Sequence, residues 1–133
     1  MKTIYQANRD LANAFGKASN IYPTTLYIAL SNGSTTTEVG FTEVSSVGTD
    51  YERVAVTNNA ASFTTPTNKS LSFASAITFP TAAASWSTIY SVGIYDSQTS
   101  GNLLYYQALS TPKVVDSGDT MMFGANALTI TEV

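Results

Sequence analysis

The stretch LSFASAITF, Leu71 to Phe79, decides how the chain is read. Leu71, Phe73, Ser75, Ile77 and Phe79 alternate with small or polar residues. A period of two is that of a strand with one face buried and one face in water. Pro80 follows and has no amide to give to a ladder, so it closes the run.

Working outward, the same grammar recurs on both sides. Upstream, TTLYIALS (Thr24 to Ser31) is dense in β-formers, and SNGSTTT (Ser31 to Thr37) is a loop by its turn residues. YERVAVT (Tyr51 to Thr57) alternates until Asn58-Asn59 breaks it. Downstream, IYSVGIY (Ile89 to Tyr95) and LLYYQAL (Leu103 to Leu109) flank DSQTSGN (Asp96 to Asn102), which reads as a hairpin connection. DSGD (Asp116 to Asp119) is a further turn. From Thr120 to Val133 the residues alternate again, with Met122, Leu128 and Ile130 on one side and Met121 and Phe123 on the other.

About six to eight short strands with turns between them predict a mainly β fold, an antiparallel β-sandwich or jelly roll. No strand–helix–strand unit is visible, so a parallel sheet is not expected. No internal repeat or long linker divides the chain, which is expected to form one domain over residues 1–133: a helical arm over 1–22 and a sandwich over 23–133.

The arm stands apart. Leu11, Ala14, Phe15 and Ala18 fall on one helical stripe. Asn8 or Thr3 is suited to cap it, Asp10 is placed near its N-terminus, and Asn20 and Pro23 supply a stop. Two roles fit such a helix: a lid on one end of the sandwich, or an arm that docks on a neighbouring chain through residues such as Phe15.

Composition narrows the function. Only 11% of the 133 residues are charged, against a usual share of about 25%. The surface is therefore either rich in Ser and Thr, of which there are 16 and 20, or partly covered by partners. The four Lys and two Arg are scattered and the net charge is −3, so there is no basic patch for nucleic acid or for a membrane surface. No run approaches the apolar length of a membrane span, and Met1 to Asn20 lacks the apolar core of a signal peptide.

Catalytic chemistry has little to work with. His and Cys are absent, which removes Ser-His-Asp triads, thiolate nucleophiles and the commonest metal ligands. Lys69-Ser70 is the one adjacent Ser–Lys pair, and it lies in a polar turn. The nine acids fall mostly in turns, where Asp bonds its own backbone. Asp96 to Gly101 and Asp116 to Asp119 are the only oxygen-rich runs, and neither has the spacing of a calcium loop. The chain is expected to be no enzyme and to need no cofactor or metal. The aromatic candidates for an interface are Trp86, Tyr105 and Tyr106. Trp86 suits core packing, an interface anchor or a sugar platform, and of the adjacent Tyr105 and Tyr106 one is expected to be exposed.

The run ITFPTAAASWSTIYSVGIYDSQTSGNLLYYQALSTPKVVDSGDTMMFGANALTI, Ile77 to Ile130, resembles a widespread family of small virion proteins of tailed bacteriophages. The resemblance rests on the Phe-Pro and Ala-Ser-Trp stretch, the Gly-Ile-Tyr-Asp strand end, the Gly-Asn-Leu-Leu hairpin, the Thr-Pro-Lys turn and the Gly-Asp-Thr strand. LYIALSNG (Leu26 to Gly33) and YERVAV (Tyr51 to Val56) match its first half, so it covers about Thr24 to Val133. It implies a virion protein made in the host bacterial cytoplasm, with no catalytic motif. Similar sandwiches decorate capsids as trimers, so the resemblance implies a capsid decoration (cement) protein. Such a protein is a homotrimer bound to the major capsid protein. The alternatives are a tail, baseplate or fibre component, and a carbohydrate-binding module that holds host glycans.

Overall fold

A computed structural model describes residues 1–18 and 22–131. One α-helix, α1 (Ile4–Ala14), precedes eight strands among the described residues: β1 (Thr25–Ser31), β2 (Val54–Thr57), β3 (Ser70–Ser72), β4 (Ile77–Thr78), β5 (Ser87–Tyr95), β6 (Leu103–Val115), β7 (Met122–Phe123) and β8 (Thr129–Thr131), with a single 3-10 turn at Ala60–Ser62. The fold is mainly β and antiparallel throughout, a β-sandwich as its sequence implied.

One layer is a four-stranded sheet in the order β2-β1-β5-β6. Register pairs Ile28 with Ile94 and Leu30 with Val92, which puts four branched apolar side chains on one face. The opposing layer is built from residues 70–79 running antiparallel to 121–131, through the β3–β8 and β4–β7 pairs. Ile28, Leu30, Phe73, Ile77, Phe79, Trp86, Ile89, Val92 and Met121 fill the core between the layers. The long connection from β1 to β2 is packed too, for it contributes Val44 and Tyr51 to that core.

The stretch Leu71 to Phe79 is not one strand. Phe73, Ile77 and Phe79 all point inward, so the alternation held, but the ladder breaks between Ser72 and Ile77. The break has its counterpart opposite. The expected continuous alternation from Thr120 to Val133 is interrupted at residues 124–128, where Asn126 takes a φ of 64°. Met121 and Phe123 face the core before this turn and Leu128 and Ile130 after it, so the inward side switches from odd to even positions. A ladder whose two strands each change course at the same level cannot stay paired through it.

Two further boundaries moved. β6 continues through the expected Thr-Pro-Lys turn to Val115. Pro112 is tolerated because β6 is the outermost strand of its sheet, where an amide is not needed for the ladder. A register shift between Ile89 and Ser91 lets β5 follow it. β2 begins only at Val54; just before it the Arg53 carbonyl is taken by the Gln98 side chain at 3.1 Å and not by a neighbouring strand.

Candidate interaction surface

The N-terminal segment is sewn to the outer edge of β6. The amide of Thr3 donates to the Leu104 carbonyl at 2.9 Å, and the Tyr106 amide donates to the Met1 carbonyl at 2.8 Å. The Met1 ammonium donates to the Tyr106 carbonyl, and burial lowers its pKa below the usual α-amino value. Of the two expected caps, Thr3 is the one used: its Oγ1 accepts from the Gln6 amide at 3.2 Å and donates to the Leu103 carbonyl at 2.6 Å. The same hydroxyl thus starts α1 and fastens it to the sheet. Gly16, at a φ of 70°, takes the left-handed conformation that ends the helix. Asn20, expected to supply that stop, lies outside the described residues.

The side of α1 that faces the body is polar. Gln6 is buried and donates through Nε2 to Asp10 at 2.8 Å, and Asp10 pairs with Lys2 at 2.8 Å. Arg9 lies over two rings, 5.6 Å from the Tyr5 centroid and 5.2 Å from that of Tyr22. Asp10 is mid-helix rather than in the first turn, so its role is this ion pair and not the helix dipole. The expected apolar stripe is turned the other way. Leu11, Ala14, Phe15 and Ala18 are all exposed, Phe15 by 76% and Leu11 by 58%, so the stripe does not close the sandwich as a lid. Ile4, seven residues before Leu11, extends the same face and is 71% exposed; the sequence reading began the stripe one step too late to include it.

Of the other residues singled out, Trp86 takes the core-packing option of the three its sequence left open, and not the interface anchor. It is 1% exposed, edge-on to Tyr51 at 5.3 Å, and its Nε1 donates to the Thr49 carbonyl at 3.0 Å. With its polar atom satisfied and its faces covered, it offers no anchor or sugar platform on the surface of this chain. Tyr105 and Tyr106 are corrected: Tyr105 is half-buried and Tyr106 buried, because Met1 to Thr3 lie along them. The four candidates are thus not one site, and Phe15 alone stands free on the surface.

Arg53 was missed. It is buried beside Tyr51, but the inward side passes to Val54 and Val56 straight after it, so the alternation of YERVAV carried no signal for it. It forms a fork-to-fork pair with Glu43 at 2.7 and 2.8 Å, and donates to the Ser97 and Ser100 carbonyls at 2.7 and 2.8 Å. Burial works against its charge, but the Glu43 carboxylate prevails and raises its pKa. The Tyr95 phenol is raised by burial first and by Glu43 second. This cluster holds the hairpin loop 96–102 in place.

A groove of about 590 Å³ runs between β6 and the layer that carries β7 and β8, lined by Leu109, Phe123, Leu128 and Ile130 among others. Its walls carry neither acid nor nucleophile in an arrangement for chemistry. The two oxygen-rich turns are self-contained: Asp96 accepts from Asn102, and Asp119 accepts from the Asp116 amide. Among the described residues no group of three acids, His or Cys is placed to hold a metal ion. Among them too, no helix is long and apolar enough to cross a membrane.

No curated protein sequence matches this chain. A protein family does, over residues 2–131, which takes in the helix as well as both layers of the sandwich. The chain belongs to that family, described as podophage GP4 fiber I protein gp80, and so to the structural proteins of bacteriophages.

Proposed function

We propose that the chain is a non-catalytic building block of the fibre-bearing tail apparatus of a short-tailed phage particle. The observation that carries this reading is the family match over residues 2–131, whose description names a fibre and not a shell. It moves the fibre alternative ahead of capsid decoration, which the sequence resemblance had put first. The fold is in keeping with a structural role. Its polar groups are spent on fixing loops, as in the Arg53–Glu43 pair, and its binding potential lies on surfaces. The glycan-binding alternative loses its two main supports, since Trp86 and Tyr106 are buried.

Quantitative mass spectrometry of purified particles, with antibody labelling under the electron microscope, tests the reading. A small number of copies relative to the major capsid protein, with label at the tail, is the expected result. Copies comparable in number to the major capsid protein, with label over the head, would overturn it in favour of a decoration protein.

A further inference from the structure

An amphipathic helix on a sandwich normally buries its apolar stripe and shows its polar side to water. α1 does the reverse. Its inward side holds Gln6, Arg9 and Asp10, which bond one another, Lys2 and Tyr22 across a cleft whose far wall is Leu26, Leu104 and Tyr105, while Ile4, Leu11 and Phe15 point into solvent. Misplacing that much apolar surface is unfavourable for an isolated chain, so the arrangement is explained by something that covers it.

The pattern of the face says what. Ile4 and Leu11 are seven residues apart, and Ala7 and Ala14 lie between and after them at the alternate positions of a heptad. That is a helix-to-helix seam, with small residues that let a second backbone come close. Within α1 the outward face carries no charge, because Arg9 and Asp10 are turned inward; Glu38, bonded to the Ile4 amide, and exposed Lys17 stand at its two ends, where opposite signs meet if two copies dock antiparallel. Two identical faces of this kind meet without repulsion, whereas a charged one would repel its copy. The area fits as well. Ile4, Leu11 and Phe15 leave on the order of 400 Å² of apolar surface open on each chain. Two such faces, with the exposed Tyr5 at the rim, reach the roughly 1,000 Å² at which a specific interface holds.

We propose that the exposed face of α1 is the docking site for the α1 of a second copy of this chain. The proposal rests on the reading of the chain as an assembling structural subunit and names its partner. A free helix of 11 residues is marginal in water. Here the Thr3 cap, the Lys2–Asp10 pair and the bonds to β6 hold it formed before any partner arrives, which removes the ordering cost from association.

The test uses the purified full chain. Light scattering or sedimentation over micromolar to submillimolar concentrations is expected to give a mass of two or more copies. The double variant Leu11→Glu, Phe15→Glu is expected to give one copy with an unchanged circular dichroism spectrum. The chain has no Cys, so Leu11→Cys supplies a second reading. On oxidation it is expected to form linked pairs about tenfold faster than Val47→Cys, a control in the exposed loop 45–49, whose bonds run to Trp86 and not to α1. A wild-type chain that stays monomeric, a double variant that still associates, or equal cross-linking at both positions would overturn the proposal. Each of these results is independent of particle location: a monomeric chain found in tails sinks this inference alone, and a dimer absent from particles sinks the assembly reading alone.

Discussion

The Arg53 guanidinium lies 3.6 Å from the centre of the Tyr95 ring. This stacking and the pair with Glu43 join three separate parts of the chain: the long β1–β2 connection, the entry to β2 and the end of β5. The same guanidinium reaches on to the carbonyls of Ser97 and Ser100 and so fixes the β5–β6 loop. Removing one partner of a buried ion pair strands the other. Arg53→Leu is therefore expected to destabilise the fold by about 3 kcal/mol, measured by urea unfolding. Hydrogen exchange is expected to speed up in residues 96–102 first. Unchanged exchange there would show that the loop holds itself.

Tyr51 makes stability depend on alkaline pH. Its hydroxyl donates to Glu43 at 2.7 Å and accepts from the Leu30 amide at 3.0 Å. Burial first, then the Glu43 carboxylate, pushes the phenol far above its ordinary value of 10.0. The unfolded chain therefore loses this proton at a lower pH than the folded one. The stabilisation is complete below about pH 10 and falls above it, by about 1.4 kcal/mol per pH unit. Urea midpoints at about pH 9 and about pH 11 check the slope. Tyr51→Phe is expected to be less stable at neutral pH and to flatten that slope.

Trp86 is the one Trp in the chain, so its fluorescence reports on a single place. Its emission is expected to be blue-shifted and insensitive to iodide in the folded protein, and to move to the red on unfolding. Trp86→Ala is expected to cost about 3–5 kcal/mol through the cavity left beside Tyr51. Quenching by iodide in the native state would contradict the burial described above.

Thr3 starts the helix and fastens it. Thr3→Val keeps the shape but loses both the cap to Gln6 and the bond to Leu103. The expected loss is about 1–2 kcal/mol, with faster amide exchange in the first turn of α1 as its local signature. If α1 is held by the Lys2–Asp10 pair alone, exchange in that turn will not change.

Gly93 faces the Phe41 ring, and a Cβ there would come within 2.7 Å of it. Gly93→Ala is expected to destabilise by about 1–3 kcal/mol through overpacking. Phe41→Leu in the same chain is expected to restore part of that loss in thermal unfolding.

Much of this was legible in the order of the residues. β1, the β5–β6 hairpin and the turn at Asp116 to Asp119 depend on side-chain alternation and on turn residues close in sequence, and both are local properties. The absence of His and Cys from the chain is a property of composition alone. The inward positions Phe73, Ile77 and Phe79 followed from their period, since a strand with one buried face permits no other parity.

What the chain order left open was decided by pairing between distant segments. The ladder from Ser70 to Thr78 breaks because its partner turns at residues 124–128, about fifty residues away. Trp86 is buried because Thr49 and Tyr51 meet it from the β1–β2 connection. Above all, the apolar stripe of α1 was visible as a pattern, but its direction was not. Hydrophobic periodicity gives a face without saying which way it points. The long-range bonds of Met1 to Thr3 to β6 anchor the segment, and with the local Lys2–Asp10 pair they turn Gln6 and Asp10 inward and leave Ile4, Leu11 and Phe15 outside.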